Sequence, residues 1–136
     1  MLLTIEKVII LKSINLFSEI PESDLLKVAM KLEPVECETG SVIIKQGDIG
    51  SSMYIVVRGE VDVDINGQVV TTLGEKNIFG ELSVLDPEPR SATIITTKET
   101  LLFKISSDLI YDLISEHTDV ARGILRILCQ RLRESN

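Results

Sequence analysis

Hydrophobic positions recur with a helical period at both ends of the chain and with a period of two through its middle. Residues 4–12 predict a helix, with Thr4 placed to cap it and Glu6 in the first turn, where the dipole favours a carboxylate. Its apolar residues, Leu2, Leu3, Ile5, Val8, Ile9, Ile10 and Leu11, cover more than one face. Two readings of that excess stay open: packing against the domain's own body, or a surface left for a neighbour or second subunit. Pro21 suits the first turn of another helix running to about Lys31, whose stripe is Leu25, Leu26, Val28, Ala29 and Leu32.

From Glu33 the period changes. Val35 and Cys37 alternate with charges, Gly40 punctuates, and Val42-Ile43-Ile44-Lys45 predicts a second short strand. The β region continues through Met53–Val61, and Val61, Val63 and Ile65 alternate with Glu60, Asp62 and Asp64, one face buried and one solvated. Asn66-Gly67 is the strongest hairpin-turn signal in the chain, returning it through Gln68–Leu73. Leu101–Ile105 predicts the last strand. Ser106 or Ser107 can cap a helix through about Ile114, and a final helix starts near Thr118. In it Ala121, Leu125, Leu128 and Leu132 fall on one seam, widened by Ile124 and Ile127.

Between the strands lies Phe79-Gly80-Glu81-Leu82-Ser83-Val84-Leu85, a glycine at the start of a short helical segment. A residue without Cβ lets a ligand approach the backbone, and the free N–H groups of a helix start attract an anion. Arg90 follows across Asp86-Pro87-Glu88-Pro89 and directly precedes the strand-like run Ser91–Thr96. One carboxylate and one guanidinium are thereby delivered to one region. A structural ion pair is the plain alternative to a binding site.

The residues Phe79, Gly80, Glu81 and Leu82, followed by Pro89, Arg90, Ser91, Ala92 and Thr93, resemble the phosphate-binding cassette of the cyclic-nucleotide-binding domain family. Gly47-Asp48-Ile49-Gly50 followed by Tyr54-Ile55, Gly59 and Val61 is similar to a second pattern of that family, and Leu16–Pro21 to its entry. The resemblance implies a mainly β fold, an antiparallel jelly-roll β-barrel with an N-terminal helical pair and two C-terminal helices. Residues 1–136 would then form one domain: helices over 1–32, the barrel over 33–105 with the cassette at 79–93, and helices over 106–136. It implies a non-enzymatic module binding a cyclic nucleotide through Gly80, Glu81, Leu82, Ser83, Arg90, Ser91 and Ala92. Glu81 would accept from the ribose 2′-hydroxyl and Arg90 would pair with the cyclic phosphate, a fork that lysine cannot reproduce. Ser83 stands where alanine is usual, at a contact made by the backbone N–H. Ser91 does not decide the base, and cAMP is the expectation over cGMP. The base would be held from the last helix, where Arg131-Leu132 brings Ser135-Asn136 near the expected place. Homodimerisation through that helix, and a signal passed by its movement to an effector domain beyond this chain, are further expectations. The sequence departs from the pattern at Lys76, where glycine is common, and Asn77 is the better left-handed residue for that turn. A module on the same fold that dimerises or docks without nucleotide is the rival expectation.

Composition narrows the partners. The net charge of −7 and the absence of a Lys/Arg run argue against direct nucleic-acid binding. Two distant cysteines imply neither a disulfide framework nor a zinc site, and the only histidine, His117, cannot supply a histidine-based metal centre. No metal, cofactor or catalytic triad is expected. The apolar run ending at Leu11 is far short of the roughly 20 residues of a membrane span, and it lacks signal-peptide features. Cytoplasmic placement without membrane insertion follows as the expectation.

Overall fold

Burial of Val8 and Leu11 fixes one side of the first helix, α1 (Thr4–Lys12), in a computed structural model that describes residues 2–135. The side chains of Glu81 and Leu82 are outside the described residues, as is Asn136. Thr4 is the first helical residue, not the cap: Leu3 takes the extended cap conformation, and its N–H donates to Glu6 Oε1 at 3.0 Å. The carboxylate therefore reaches back to a donor that lies outside the helix.

The chain forms two compact units. One comprises the residues up to Lys31 and from Tyr111 onward; the other is Leu32–Ile110. In the helical unit, a 3₁₀ turn (Asn15–Phe17) and α2 (Glu22–Lys31) follow α1. The Pro21 carbonyl accepts the first helical bond, from Leu25 N–H at 3.0 Å, so proline sits at the cap where its missing donor costs nothing. Leu25, Val28 and Ala29 are buried, whereas Leu26 is exposed and falls outside the expected stripe. Leu3 at the cap and Ile5 and Ile9 on α1 are 65%, 57% and 63% exposed, so this part of the excess apolar surface read from the sequence is uncovered in this chain.

In the β unit every strand pairing is antiparallel. One sheet has the order β1 (Glu33–Cys37), β10 (Thr100–Ser106), β4 (Ser52–Arg58), β7 (Ile78–Phe79). The other has β2 (Val42–Ile44), β9 (Thr93–Thr96), β5 (Val61–Ile65), β6 (Gln68–Leu73). Ile44, Tyr54, Val56, Val61, Phe79, Ile94 and Leu102 from both sheets form one apolar cluster. This is the antiparallel jelly-roll architecture with flanking helices. A third, two-stranded ladder joins β3 (Ile49–Gly50) to β8 (Glu88–Pro89).

The turns explain the register. Asn66 and Gly67 both take positive φ, 55° and 86°, the mirror-image geometry that matches strand twist in a tight hairpin. At the turn into β7, Lys76 and not Asn77 adopts the left-handed conformation, with φ 71°. Two contacts require this assignment: Asn77 Oδ1 accepts from Gly74 N–H at 2.8 Å, and Lys76 N–H donates to Val56 O at 2.8 Å. Asparagine serves the turn through its side chain, leaving lysine with the strained backbone.

Ser106 caps α4 (Ser107–Glu116), accepting from Leu109 N–H at 3.3 Å, and the helix runs two residues past the expected Ile114. The last helix, α5 (Thr118–Glu134), buries Val120 but leaves Leu125 and Leu132 60% and 65% exposed. His117 Nε2 lies 3.7 Å from Asp24 Oδ2 within the helical unit. No helix among the described residues is long and apolar enough to cross a membrane.

Candidate functional site

The β3–β8 ladder is short, but it sets the position of Arg90. Ile49 pairs with Pro89 and Gly50 with Glu88, which brings the residue after β8 beside the loop before β3. Arg90 N–H then donates to Asp48 O at 2.8 Å, and Gly47 N–H donates to Arg90 O at 2.9 Å. Gly47 holds φ 92°, a conformation that a Cβ disfavours, so glycine is needed for the loop to present that amide.

From this clamped backbone the Arg90 side chain turns inward and is 8% exposed. Its Nη2 donates to Ser52 O at 2.9 Å. Nη1 is buried and has no hydrogen-bond partner among the described residues. Burial lowers the pKa of the guanidinium, partly opposed by Tyr54, but an arginine stays cationic throughout the usable pH range. The result is a desolvated cation with a donor pair that lacks an acceptor among the described residues. Such an arrangement carries a cost of roughly 1–3 kcal/mol for the unmade bond, which an entering anion would remove.

Two glycines make room for the guanidinium. A Cβ on Gly50 would lie 2.5 Å from Arg90 Cζ, and one on Gly80 would lie 2.8 Å from Nη1 and 2.7 Å from Ser52 O. Gly80 also holds φ 79°. Sequence reasoning gave Gly80 the task of admitting a ligand; the geometry adds that it admits the chain's own arginine. Phe79, just before it, stacks on Tyr54 with ring centroids 5.0 Å apart and planes 17° apart, fixing the entry to the site across the β4–β7 pair.

After Gly80 the chain enters α3 (Glu81–Leu85), closed by Val84 N–H donating to Gly80 O at 3.2 Å. N–H groups of a first turn have no acceptor within their own helix. Ser83 is half-buried and Val84 buried. Glu81 and Leu82 have a described backbone in this helix, while their side chains, including the candidate ribose-binding carboxylate, lie outside the described residues. Ser91 is exposed and Ala92 buried. Thus Gly80 and Arg90 are in direct proximity, and Ser91 and Ala92 adjoin them in sequence. Ser135, at the far end of α5, donates its Oγ–H to Leu132 O at 2.9 Å, and its neighbour Asn136 lies outside the described residues.

Sequence reasoning missed Gly50, the Ser52 carbonyl and the clamp from Gly47 and Asp48. Gly47 and Gly50 stand in a motif visible in the sequence, but nothing in that motif links them to Arg90. Nothing in the sequence marks which carbonyl an arginine will bond.

Residues 34–117 match the model of the cyclic nucleotide-binding domain. The chain is 28% identical over 132 residues to the CRP-like cAMP-activated global transcriptional regulator of Mycobacterium tuberculosis, a match covering 93% of this chain and 59% of that protein. Among solved structures, the Thermus thermophilus catabolite activator protein superposes with a TM-score of 0.80 at 28% identity, covering 89% of this chain and 59% of the other. The regulatory domain of Toxoplasma gondii PKA, solved with cAMP, gives 0.73 at 30% identity, covering 80% of this chain and 43% of the other. The chain therefore spans about three fifths of the length of the first two relatives.

Proposed function

Because the chain belongs to the cyclic nucleotide-binding domain family, we propose that it is a regulatory, non-enzymatic module that binds a cyclic nucleotide, cAMP in preference to cGMP. The observation that carries this reading is the buried Arg90 guanidinium, whose Nη1 has no hydrogen-bond partner among the described residues. The cyclic phosphate supplies the missing acceptor, taking bonds from Arg90, the Ser91 hydroxyl and the N–H groups of Gly80–Ser83. Glu81 accepts from the ribose 2′-hydroxyl, and Leu82 and Ala92 line the same pocket. Since Nη1 is shielded, the cassette shifts to admit the phosphate, and the two arrangements of the cassette are the states between which ligand selects.

The signal leaves through α5, toward an effector domain outside this chain, and the exposed Leu125 and Leu132 serve pairing with a second copy. The relatives' descriptions support the choice of ligand: one is cAMP-activated and one was solved with cAMP. The two free thiols accord with a cytoplasmic setting.

Calorimetric titration with cAMP and cGMP tests the reading, with Arg90→Glu as control and circular dichroism to show that both proteins are folded. Micromolar or tighter binding that the variant loses supports it. Removing a partner of a buried charged contact costs about 2–5 kcal/mol, or tens to thousands of fold in affinity. Absence of heat with either nucleotide, from folded ligand-free protein, favours a second reading, a docking module, which the exposed Leu3, Ile5 and Ile9 of α1 recommend.

A further inference from the structure

The turn of the β5–β6 hairpin is tied to the loop that clamps Arg90. Asn66 N–H donates to Gln46 Oε1 at 2.9 Å, and Gln46 Nε2 donates back to Asn66 Oδ1 at 3.0 Å. The Gln46 backbone N–H donates to Thr93 Oγ1 at 2.9 Å, at the start of β9. The next two residues, Gly47 and Asp48, are the ones that hold Arg90 by its own N–H and carbonyl. Gln46 thus stands at a junction of three segments, and the only route from the hairpin tip to the arginine among these contacts passes through its carboxamide.

We propose that Gln46 is a positioning residue for Arg90, and that its paired bonds with Asn66 make the β5–β6 hairpin a brace for the anion site. The chemistry suits the task. A primary amide exchanges a donor and an acceptor with one partner residue, which fixes both distance and orientation, whereas a single bond would allow rotation. Asn66 is itself held in the left-handed conformation of the hairpin turn, φ 55°, so the partner presents its N–H and its side chain from a fixed backbone. Without the brace, the loop retains its ladder to β8 and the Gln46 N–H bond to Thr93 but loses its tie to the hairpin. The Arg90 backbone then samples more positions, and the guanidinium leaves its slot against Gly50 and Gly80 more often.

This inference rests on the cyclic-nucleotide reading for its functional consequence, but its structural core does not require a ligand. The test therefore has two arms. In ligand-free protein, amide hydrogen exchange is measured at Arg90 and Gly47, with Val56, which donates to Asn77 O at 2.9 Å, as the distant control. Gln46→Ala is expected to speed exchange at Arg90 and Gly47 about three- to tenfold while leaving Val56 unchanged. Asn66→Gly keeps the turn geometry and the backbone N–H bond to Gln46 Oε1 but removes the returning bond, so it should speed exchange at the same two amides by less than Gln46→Ala, and the double variant should match Gln46→Ala. Gln46→Glu likewise keeps only the bond from Asn66 N–H and should give an intermediate acceleration, between wild type and Gln46→Ala. In the second arm, calorimetry with cAMP should show affinity reduced about three- to tenfold in Gln46→Ala, with the thermal midpoint nearly unmoved. Unchanged exchange at Arg90 and Gly47 in Gln46→Ala overturns the brace, as does equal acceleration at Val56. If the wild-type chain takes no cyclic nucleotide, the functional reading fails while the exchange arm still decides the inference.

Discussion

Gly50→Ala separates the position of the Arg90 guanidinium from its charge. A Cβ at residue 50 would lie 2.5 Å from Arg90 Cζ, with Nε and Nη2 closer still, so the side chain must leave its slot. Gly50 does not hold a positive φ, so alanine brings no backbone strain of its own. The displaced guanidinium loses the 2.9 Å bond to Ser52 O, a charged hydrogen bond worth roughly 1.5–3 kcal/mol. Against that, a desolvated cation regains water, and alanine narrows the unfolded ensemble by about 0.4–1 kcal/mol. These terms largely offset one another, and the fold should lose less than about 2 kcal/mol. Binding has no such compensation. The cation remains in the protein but no longer where the phosphate would meet it, and the loss is bounded by that of removing the arginine, about 2–5 kcal/mol. The expected result is cAMP affinity reduced about ten- to a hundredfold by calorimetry, with a small shift of the urea midpoint followed by circular dichroism. Adding Gly50→Ala to Arg90→Ala should reduce affinity no further. Wild-type affinity in Gly50→Ala would refute the reasoning, since an arginine that tolerates the methyl group is not held in the slot described.

Lys76→Gly should stabilise the ligand-free protein by about 0.5–1 kcal/mol in urea unfolding, because relief of left-handed strain at φ 71° outweighs the greater chain entropy of glycine. Gly59→Ala should act oppositely, costing about 2–4 kcal/mol, since φ is 101° and an added Cβ would lie 2.6 Å from Glu99 O and 2.7 Å from Thr100 Cα. A thiol titration at pH 8 should label exposed Cys129 at least about tenfold faster than half-buried Cys37, whose pKa burial raises, and urea should abolish the difference. The raised Cys37 value has a defined sign for stability: its contribution is present below the ordinary thiol pKa of about 8.5 and is lost as the pH rises through the folded value, so Cys37→Ala should flatten the alkaline limb of the stability curve.

The legible parts of the fold were those whose pattern extends over several residues. β10 announced itself because Leu101, Leu102, Phe103 and Ile105 are all buried, as a strand covered on both faces requires. Asn66-Gly67 announced itself because its geometry is demanded by the local chain. The β3–β8 ladder did not, because each strand has two residues and no period can be read over two. The glycines divide in the same way. Gly47, Gly59, Gly67 and Gly80 hold positive φ and are marked by local turn chemistry. Gly50 is required by a side chain forty residues away in sequence, and no local signal carries that information. For the candidate site, Gly80 and Arg90 were legible as a motif, whereas the Ser52 carbonyl that holds Nη2 depends on tertiary register.

Lys76 and Arg90 show why local rules fail in different ways in one small protein. Lys76 violates a backbone preference at an exposed turn, where the cost of roughly 1–2 kcal/mol is borne because Asn77 is committed to Gly74 through its side chain. That conflict is local, and a glycine would resolve it. Arg90 departs, among the described residues, from the rule that buried charges are fully paired. Its backbone is clamped at both N–H and carbonyl, its Nη2 is satisfied, and two glycines lie against it, so the surroundings hold a buried cation in place. Structure organised around a donor that is unmet among the described residues, instead of away from it, is what stability by itself does not produce. A phosphate would match the planar fork of the guanidinium and supply an acceptor that Nη1 lacks among the described residues.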